Sequence, residues 1–292
     1  MKTKKQSNVI WILIFLAPAI ALFSLFFIYP IGMVVGTSLT DWRNSVGMNF
    51  IGLENYIKFF QNANFRTALG NNIIWALSLG IFQIGMATAM ACILARRPKG
   101  WTVYRTVYFL PSVISGAALS MMWKAIYNAQ HGVLNAFLNT IGLSDLAHNW
   151  LGEMETALPA VIISQIFYIG YFMVIILASR VGIDDNYYEA AMIDGANVWQ
   201  QERFITLPLL KPILITTVTL ALAYGLRHFE ATYLMTTGGP NHATETMGTF
   251  LYTKLKASKW AEANAIGTII IITGGLAISG IRSLLSRNMD VE

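Results

Sequence analysis

Six stretches of this chain are apolar for about 20 residues or more, the length an α-helix needs to cross the hydrocarbon core of a bilayer. In lipid every backbone N–H and C=O must be satisfied within its own segment, so such runs can only be helices. The expected spans cover residues 9–39, 68–95, 103–127, 157–178, 212–235 and 263–285. With 55% of its 292 residues hydrophobic and 12% charged, the chain does not fit one soluble core. The fold class is an all-α integral membrane protein, a single transmembrane domain over residues 1–292, without an internal repeat, low-complexity tract or second soluble domain.

Charge placement orients the spans. Lys2, Lys4 and Lys5 precede a first apolar run too long for the roughly 7–15-residue core of a signal peptide, and no small-residue cleavage pattern closes it, so an uncleaved first span is expected. Pro18 and Pro30 should kink or end that span. Residues 40–67 form a polar connection in which Trp42, Phe50 and Tyr56 suit a membrane-water interface. Arg96-Arg97-Pro98-Lys99 is a compact basic turn, whereas residues 128–156 contain no Lys or Arg. Because cytoplasmic loops carry the excess of Lys and Arg, the basic turn faces the cytoplasm, as do both termini, Arg105, Arg180, Arg203, Lys211, Arg282 and Arg287. The net charge of +5 is then a topology signal rather than a nucleic-acid signature. Cys92 is the single cysteine, so no disulfide framework exists and a buried inert thiol is expected.

One polar interruption lies between the fourth and fifth runs, over residues 184–208. Asp184, Asp185 and Asn186 are helix-start residues, Ala190 and Ala191 favour a helix, and Gly195 supplies a left-handed turn to end it. Asn197 with Gln200 reads as a capping-box variant opening a second short helix, which Pro208 limits. Within this helix-turn-helix, Glu189-Ala190-Ala191, Gly195 four residues on, Ile205 and Leu207-Pro208 match every position of the EAA loop of the membrane subunits of binding-protein-dependent ABC importers. Tyr29-Pro30, Ser38-Leu39-Thr40-Asp41-Trp42, residues 50–56, Phe109-Leu110-Pro111 and Thr236-Thr237-Gly238-Gly239-Pro240 resemble the carbohydrate-importer permeases as well, the Gly-Gly-Pro turn being typical of those similar to the maltose-system F or glycerol-phosphate A subunits.

The resemblance implies a type I ABC importer permease in a bacterial inner membrane, translocating a sugar, specifically an oligosaccharide. It further implies a second similar permease, two cytoplasmic ATPase subunits and an extracellular solute-binding protein. Glu189, Ala190, Ala191, Asp194, Gly195, Ile205, Leu207 and Pro208 would then form the element that docks on the ATPase. ATP and Mg would bind the partner ATPase, and this chain would bind no cofactor or metal.

The residues themselves agree that no engine is present. No Gly-Lys dipeptide occurs, which removes the phosphate-binding loop ending in Gly-Lys-Ser/Thr, and His131, His148, His228 and His242 lack metal-ligand spacing. Arg227, His228 and Glu230 interrupt the fifth run, where a charge costs about 2.5–3.5 kcal/mol and usually faces a cavity or partner. Arg227 and Glu230, three residues apart on one helical face, either pair with each other or bind a polyhydroxylated ligand. Gln83 and Gln165 are further candidates for the substrate path, and Asn71 and Asn72 share the ambiguity. An ion-coupled secondary transporter or channel is the alternative class, but it calls for several mid-membrane carboxylates and only Glu230 lies inside the six runs. An intramembrane enzyme lacks a nucleophile-base pair.

Overall fold

The structure, a computed structural model, describes residues 2–43 and 47–286, with side chains described over 11–43 and 47–280. Lys2, Lys4, Lys5, Arg282 and Arg287 therefore lie outside the described side chains. Among the described residues every regular element is helical, apart from one isolated bridge between Thr40 and Phe50. The chain divides into two units, Met1–Gln61 with Leu251–Ile269 and Asn62–Phe250 with Ile270–Glu292.

In the first unit α1 (Lys2–Phe23) runs through a π-turn (Ser24–Ile28) into α2 (Tyr29–Ser38). Neither proline ends this helix. Pro18 sits inside α1, and the wider turn just ahead of Pro30 loosens the ladder where the ring would otherwise meet the carbonyl four residues back. Its apolar side chains point outward along Trp11–Ser38, as suits a helix in contact with lipid. The polar connection that follows contains the short α3 (Glu54–Gln61), and the buried Asn55 donates to the carbonyls of Ser38 and Thr40 at 2.9 Å each. Trp42 packs at 6.0 Å from Trp260, and Glu262 meets Arg43, Lys254 and Lys259 at 3.2, 2.8 and 3.5 Å.

The second unit starts earlier than residue 68, because Asn62 accepts the Phe65 N–H and caps α4 (Ala63–Ser78). A π-turn (Leu79–Gln83) links α4 to α5 (Ile84–Ala95). The expected span 103–127 is two helices, α6 (Trp101–Phe109) and α7 (Gly116–Ile126), meeting at 100°. Pro111 removes a helical N–H and restricts Leu110, and Ser115 then caps the new direction by accepting the Ala118 N–H. After α8 (Val133–Thr140), the span 157–178 is likewise broken, into α9 (Met154–Ile166) and α10 (Gly170–Val181) with a 42° bend. At this bend a Cβ on Gly170 would lie 2.2 Å from the Tyr108 carbonyl oxygen, so only glycine allows the approach.

The polar interruption forms α11 (Asn186–Ile193) and α12 (Val198–Gln201), and α13 (Leu207–Leu226) follows. The fifth span does not run on to residue 235. It stops at Leu226 and resumes as α14 (Glu230–Thr236), before α15 (Met247–Lys256) and the long α16 (Trp260–Ser286). The stop is possible in an apolar setting because Asn72, fully buried on α4, donates to the carbonyls of Gly225 and Leu226 and accepts the Met247 N–H. Asn71 similarly serves the carbonyls of Ala243 and Glu245. Both asparagines hold backbone in place. α5 packs on α10, α4 on α13 and α7 on α14.

Helix α13 touches α4 backbone to backbone, since a Cβ on Gly225 would fall 2.5 Å from the Ala76 Cα. Gly225→Ala is therefore expected to cost about 1–3 kcal/mol through overpacking and to lower the thermal unfolding midpoint of the purified protein. Gly274→Ala, where nothing lies within 4 Å of the added carbon, is the matched control and should leave that midpoint unchanged or raise it.

Candidate functional site

The helix-turn-helix is built from strong local signals. Asp184 Oδ1 accepts the Asn186 N–H at 2.9 Å, Gly195 stands at φ +80° behind α11, and Asn197 and Gln200 exchange both bonds of a capping box at the start of α12. Pro208 does not limit the second helix. A π-turn (Glu202–Thr206) carries α12 directly into α13, with Pro208 in the first turn, where a missing N–H costs little. The loop is thus the end of a continuous helix, Val198–Leu226.

Polar contacts, one of them fully buried, fix this element to the bundle. The Tyr188 hydroxyl shares a hydrogen bond with Thr206 at 2.9 Å, while the Arg180 guanidinium lies 4.2 Å over the Tyr188 ring. Arg96 at the end of α5 donates to Glu202 at 2.7 and 3.0 Å and to Gln201 at 3.3 Å, and Gln201 donates to the Ala196 carbonyl. Arg96 and Arg180 read from sequence only as orientation charges. Their second role follows from Glu202 and Tyr188, whose spacing to them along the chain carries no local signal.

Of the residues matching the EAA pattern, Glu189, Ala190, Asp194, Gly195, Leu207 and Pro208 are exposed and Ala191 and Ile205 half-buried. Glu189 has no ion pair among the described residues. Beside them Tyr187, Met192, Ile193, Val198, Trp199 and Phe204 are exposed too, Ile193 by 87%. Such an exposed apolar set on a polar element has the composition of a protein-docking face, and none of these six residues belongs to the sequence pattern.

The second feature is a cavity of about 490 Å³ opened by the helix breaks. Gln83, Gln165, Tyr168, Tyr171, Tyr224, Arg227 and Glu230 line it, so all four candidates for the substrate path meet there. Gln83 lies about 18 Å along its helix from Asn71 and about 20 Å from Arg96, near mid-length. Its amide nitrogen donates to the carbonyls of Gln165 and Tyr168 at 3.2 and 3.1 Å, supporting the bend between α9 and α10. Arg227 and Glu230 do not share a helical face. Arg227 caps α13 at φ −105°, ψ 14°, and Glu230 opens α14; among the described residues no ion pair joins them. Between them His228 turns inward and stacks 3.8 Å from Trp75. Glu230 abuts the start of α7, where a Cβ on Gly116 would lie 2.6 Å from its Oε2. The three tyrosines escaped the sequence reading because aromatics in an apolar run have no periodic signal of their own.

Residues 84–291, which include the whole helix-turn-helix and most of the cavity, match the family of binding-protein-dependent transport system inner membrane components. The chain belongs to that family. This permease is 37% identical to the probable ABC transporter permease protein YurN of Bacillus subtilis over 89% of its length and 90% of YurN. It is 34% identical to the lactose transport system permease protein LacF of Rhizobium radiobacter, over 82% and 81% of the two chains. Its fold matches a chain of the bacterial alginate ABC transporter crystallised in complex with an alginate pentasaccharide-bound periplasmic protein, with a TM-score of 0.83 at 23% identity, covering 99% of this chain and 97% of that one. The permease is therefore a multi-pass membrane component of an ABC importer rather than an enzyme, as the EAA resemblance implied.

Proposed function

We propose that this permease forms half of the path by which an oligosaccharide enters a bacterial cell. A second, similar permease supplies the other half, an extracellular solute-binding protein delivers the sugar, and two cytoplasmic ATPase subunits bind ATP and Mg and drive the cycle. This chain binds no cofactor. The cavity carries the reading: Tyr168, Tyr171 and Tyr224 offer aromatic faces to the C–H side of sugar rings, and Arg227 and Glu230 offer charged hydrogen-bonding partners to hydroxyls. The names of the lactose permease and the alginate transporter support the same class of cargo.

The mechanics follow from one helix. Glu189 to Pro208 docks on the ATPase, and closure of the ATPase pair around ATP displaces α11 and α12. Because α12 continues into α13, and Arg96, Arg180 and Thr206 tie the element to the bundle, the displacement travels along a helix that ends at Arg227 beside the cavity. From Glu202 to Arg227 that lever is about 38 Å long. A two-state motion of it exposes the cavity alternately to the two sides of the membrane.

Two measurements test the reading. With the docking element and both termini in the cytoplasm, single cysteines at Gln200 and Ser144 in a Cys92-free background should label from the inside and the outside respectively; labelling from one side ends the six-span orientation. Uptake of a labelled oligosaccharide through the complex and its binding protein should be competed by a short oligosaccharide in a panel and not by amino acids or ions. Competition by a non-sugar alone would remove the substrate class.

A further inference from the structure

A groove runs between α6 and α10, distinct from the sugar cavity and formed by two adjoining pockets of about 270 and 300 Å³ that share Arg105 and Val174. On α6 its wall is Trp101, Arg105 and Phe109, spaced four apart and therefore on one face. On α10 it is Val174, Leu177 and Val181. The groove is thus apolar along its length and basic at one end.

That end carries unusual charge. The guanidinium carbons of Arg97 and Arg105 lie 5.8 and 5.1 Å from the centre of the Trp101 ring, so both cations gather around one indole. Arg105 reaches back toward the start of α6, leaving Phe109 and Val174 to the apolar part. No Asp or Glu lines either pocket, and among the described residues neither Arg97, Lys99 nor Arg105 has an ion pair. Outside the groove Val103, Tyr104 and Val107 are more than half exposed, which turns this flank of α6 toward lipid rather than water. Two uncompensated guanidiniums beside a tryptophan, above an apolar channel on a lipid-facing flank, complement the charge and shape of an anionic phospholipid headgroup and its chain.

We propose that this groove binds an anionic phospholipid, with its phosphate between Arg97 and Arg105 and an acyl chain along Phe109 and Val174. The lipid would brace α6 against α10, next to Arg180 and the docking element. The assignment rests on the proposed orientation only for the leaflet, which is the cytoplasmic one.

The test uses the assembled transporter in nanodiscs containing a photoactivatable phosphatidylglycerol or the matching phosphatidylcholine, with adducts mapped to peptides. Phosphatidylglycerol adducts should concentrate on residues 101–109 and 174–181, and fall at least tenfold in the double variant Arg97→Gln, Arg105→Gln and in Ala178→Phe, which fills the groove from an exposed position. Equal labelling by phosphatidylcholine, or undiminished labelling in both variants, overturns the proposal. So does loss of ATPase co-purification in the double variant with lipid labelling intact, which would make the basic turn a protein contact. Sidedness of a cysteine at Gln200 in the same nanodiscs reports on the orientation separately.

Discussion

Gly195→Asp is expected to abolish productive coupling, reducing sugar-stimulated ATP hydrolysis at least tenfold and weakening co-purification with the ATPase, while leaving expression and membrane insertion unchanged. At φ +80° a side chain with a Cβ is strained by about 1–2 kcal/mol, and nothing lies within 4 Å of the added carbon, so the cost is conformational rather than steric. The turn must then shift, which swings Met192 and Ile193 relative to Val198 and Trp199 and breaks up the docking face. The new carboxylate also lands beside Asp194. Glu189→Lys should act on the same two readouts by charge reversal at an exposed position that has no ion pair among the described residues. Neither substitution touches an apolar span, and Tyr188, Thr206, Arg96 and Glu202 still hold the element in place. Parental values of both quantities in both variants would reduce Glu189 to Pro208 to a solvated loop.

Removing either charge from the cavity is the second large effect. A hydrogen bond to a charged group contributes about 1.5–3 kcal/mol, so Glu230→Gln and Arg227→Gln should each slow oligosaccharide uptake roughly ten- to a hundredfold. The yield of assembled complex should stay near that of the parent, because the two groups form no ion pair with each other that the bundle depends on. Gly116→Ala is a sharper probe, since its methyl group would meet Glu230 Oε2 at 2.6 Å and must displace the carboxylate without altering charge. Uptake falling with the complex intact places Glu230 in the path, whereas collapse of the complex in both charge variants assigns the residues to structure.

The apolar runs were legible as membrane-length helices, four outright and up to six if each bent pair is one span, because length and hydrophobicity decide them, and the caps at Asp184, Gly195 and Asn197 were legible because each rests on a few neighbouring residues. The breaks were not. Whether a proline kinks, ends or merely tilts a helix depends on which neighbours satisfy the freed backbone groups: Pro111 breaks its span with Ser115 ready to accept the Ala118 N–H of the next helix, whereas Pro18, Pro30 and Pro208 are carried inside continuous helices. The stop at Leu226 depends on Asn72, more than 150 residues away in sequence. For the same reason Arg227 and Glu230 were recognisable as expensive charges, but their arrangement around a cavity rather than along one helix face was not. The exposed apolar residues of the docking element were hidden for a different reason, since a Met or Ile in a short helix looks the same to the sequence whether it faces a core or a partner.

In the mechanism proposed, this chain carries a sugar through its cavity on energy received through residues 184–208. ATP hydrolysis and labelled-oligosaccharide uptake measured together in proteoliposomes, with the complete complex and its binding protein and with no ion gradient, test it most directly. Uptake should require ATP, and the oligosaccharide-loaded binding protein should raise hydrolysis several-fold, with both responses lost in Gly195→Asp. Uptake that proceeds without ATP when an ion gradient is imposed, and that is unaffected by Gly195→Asp, would make the permease an ion-coupled transporter instead.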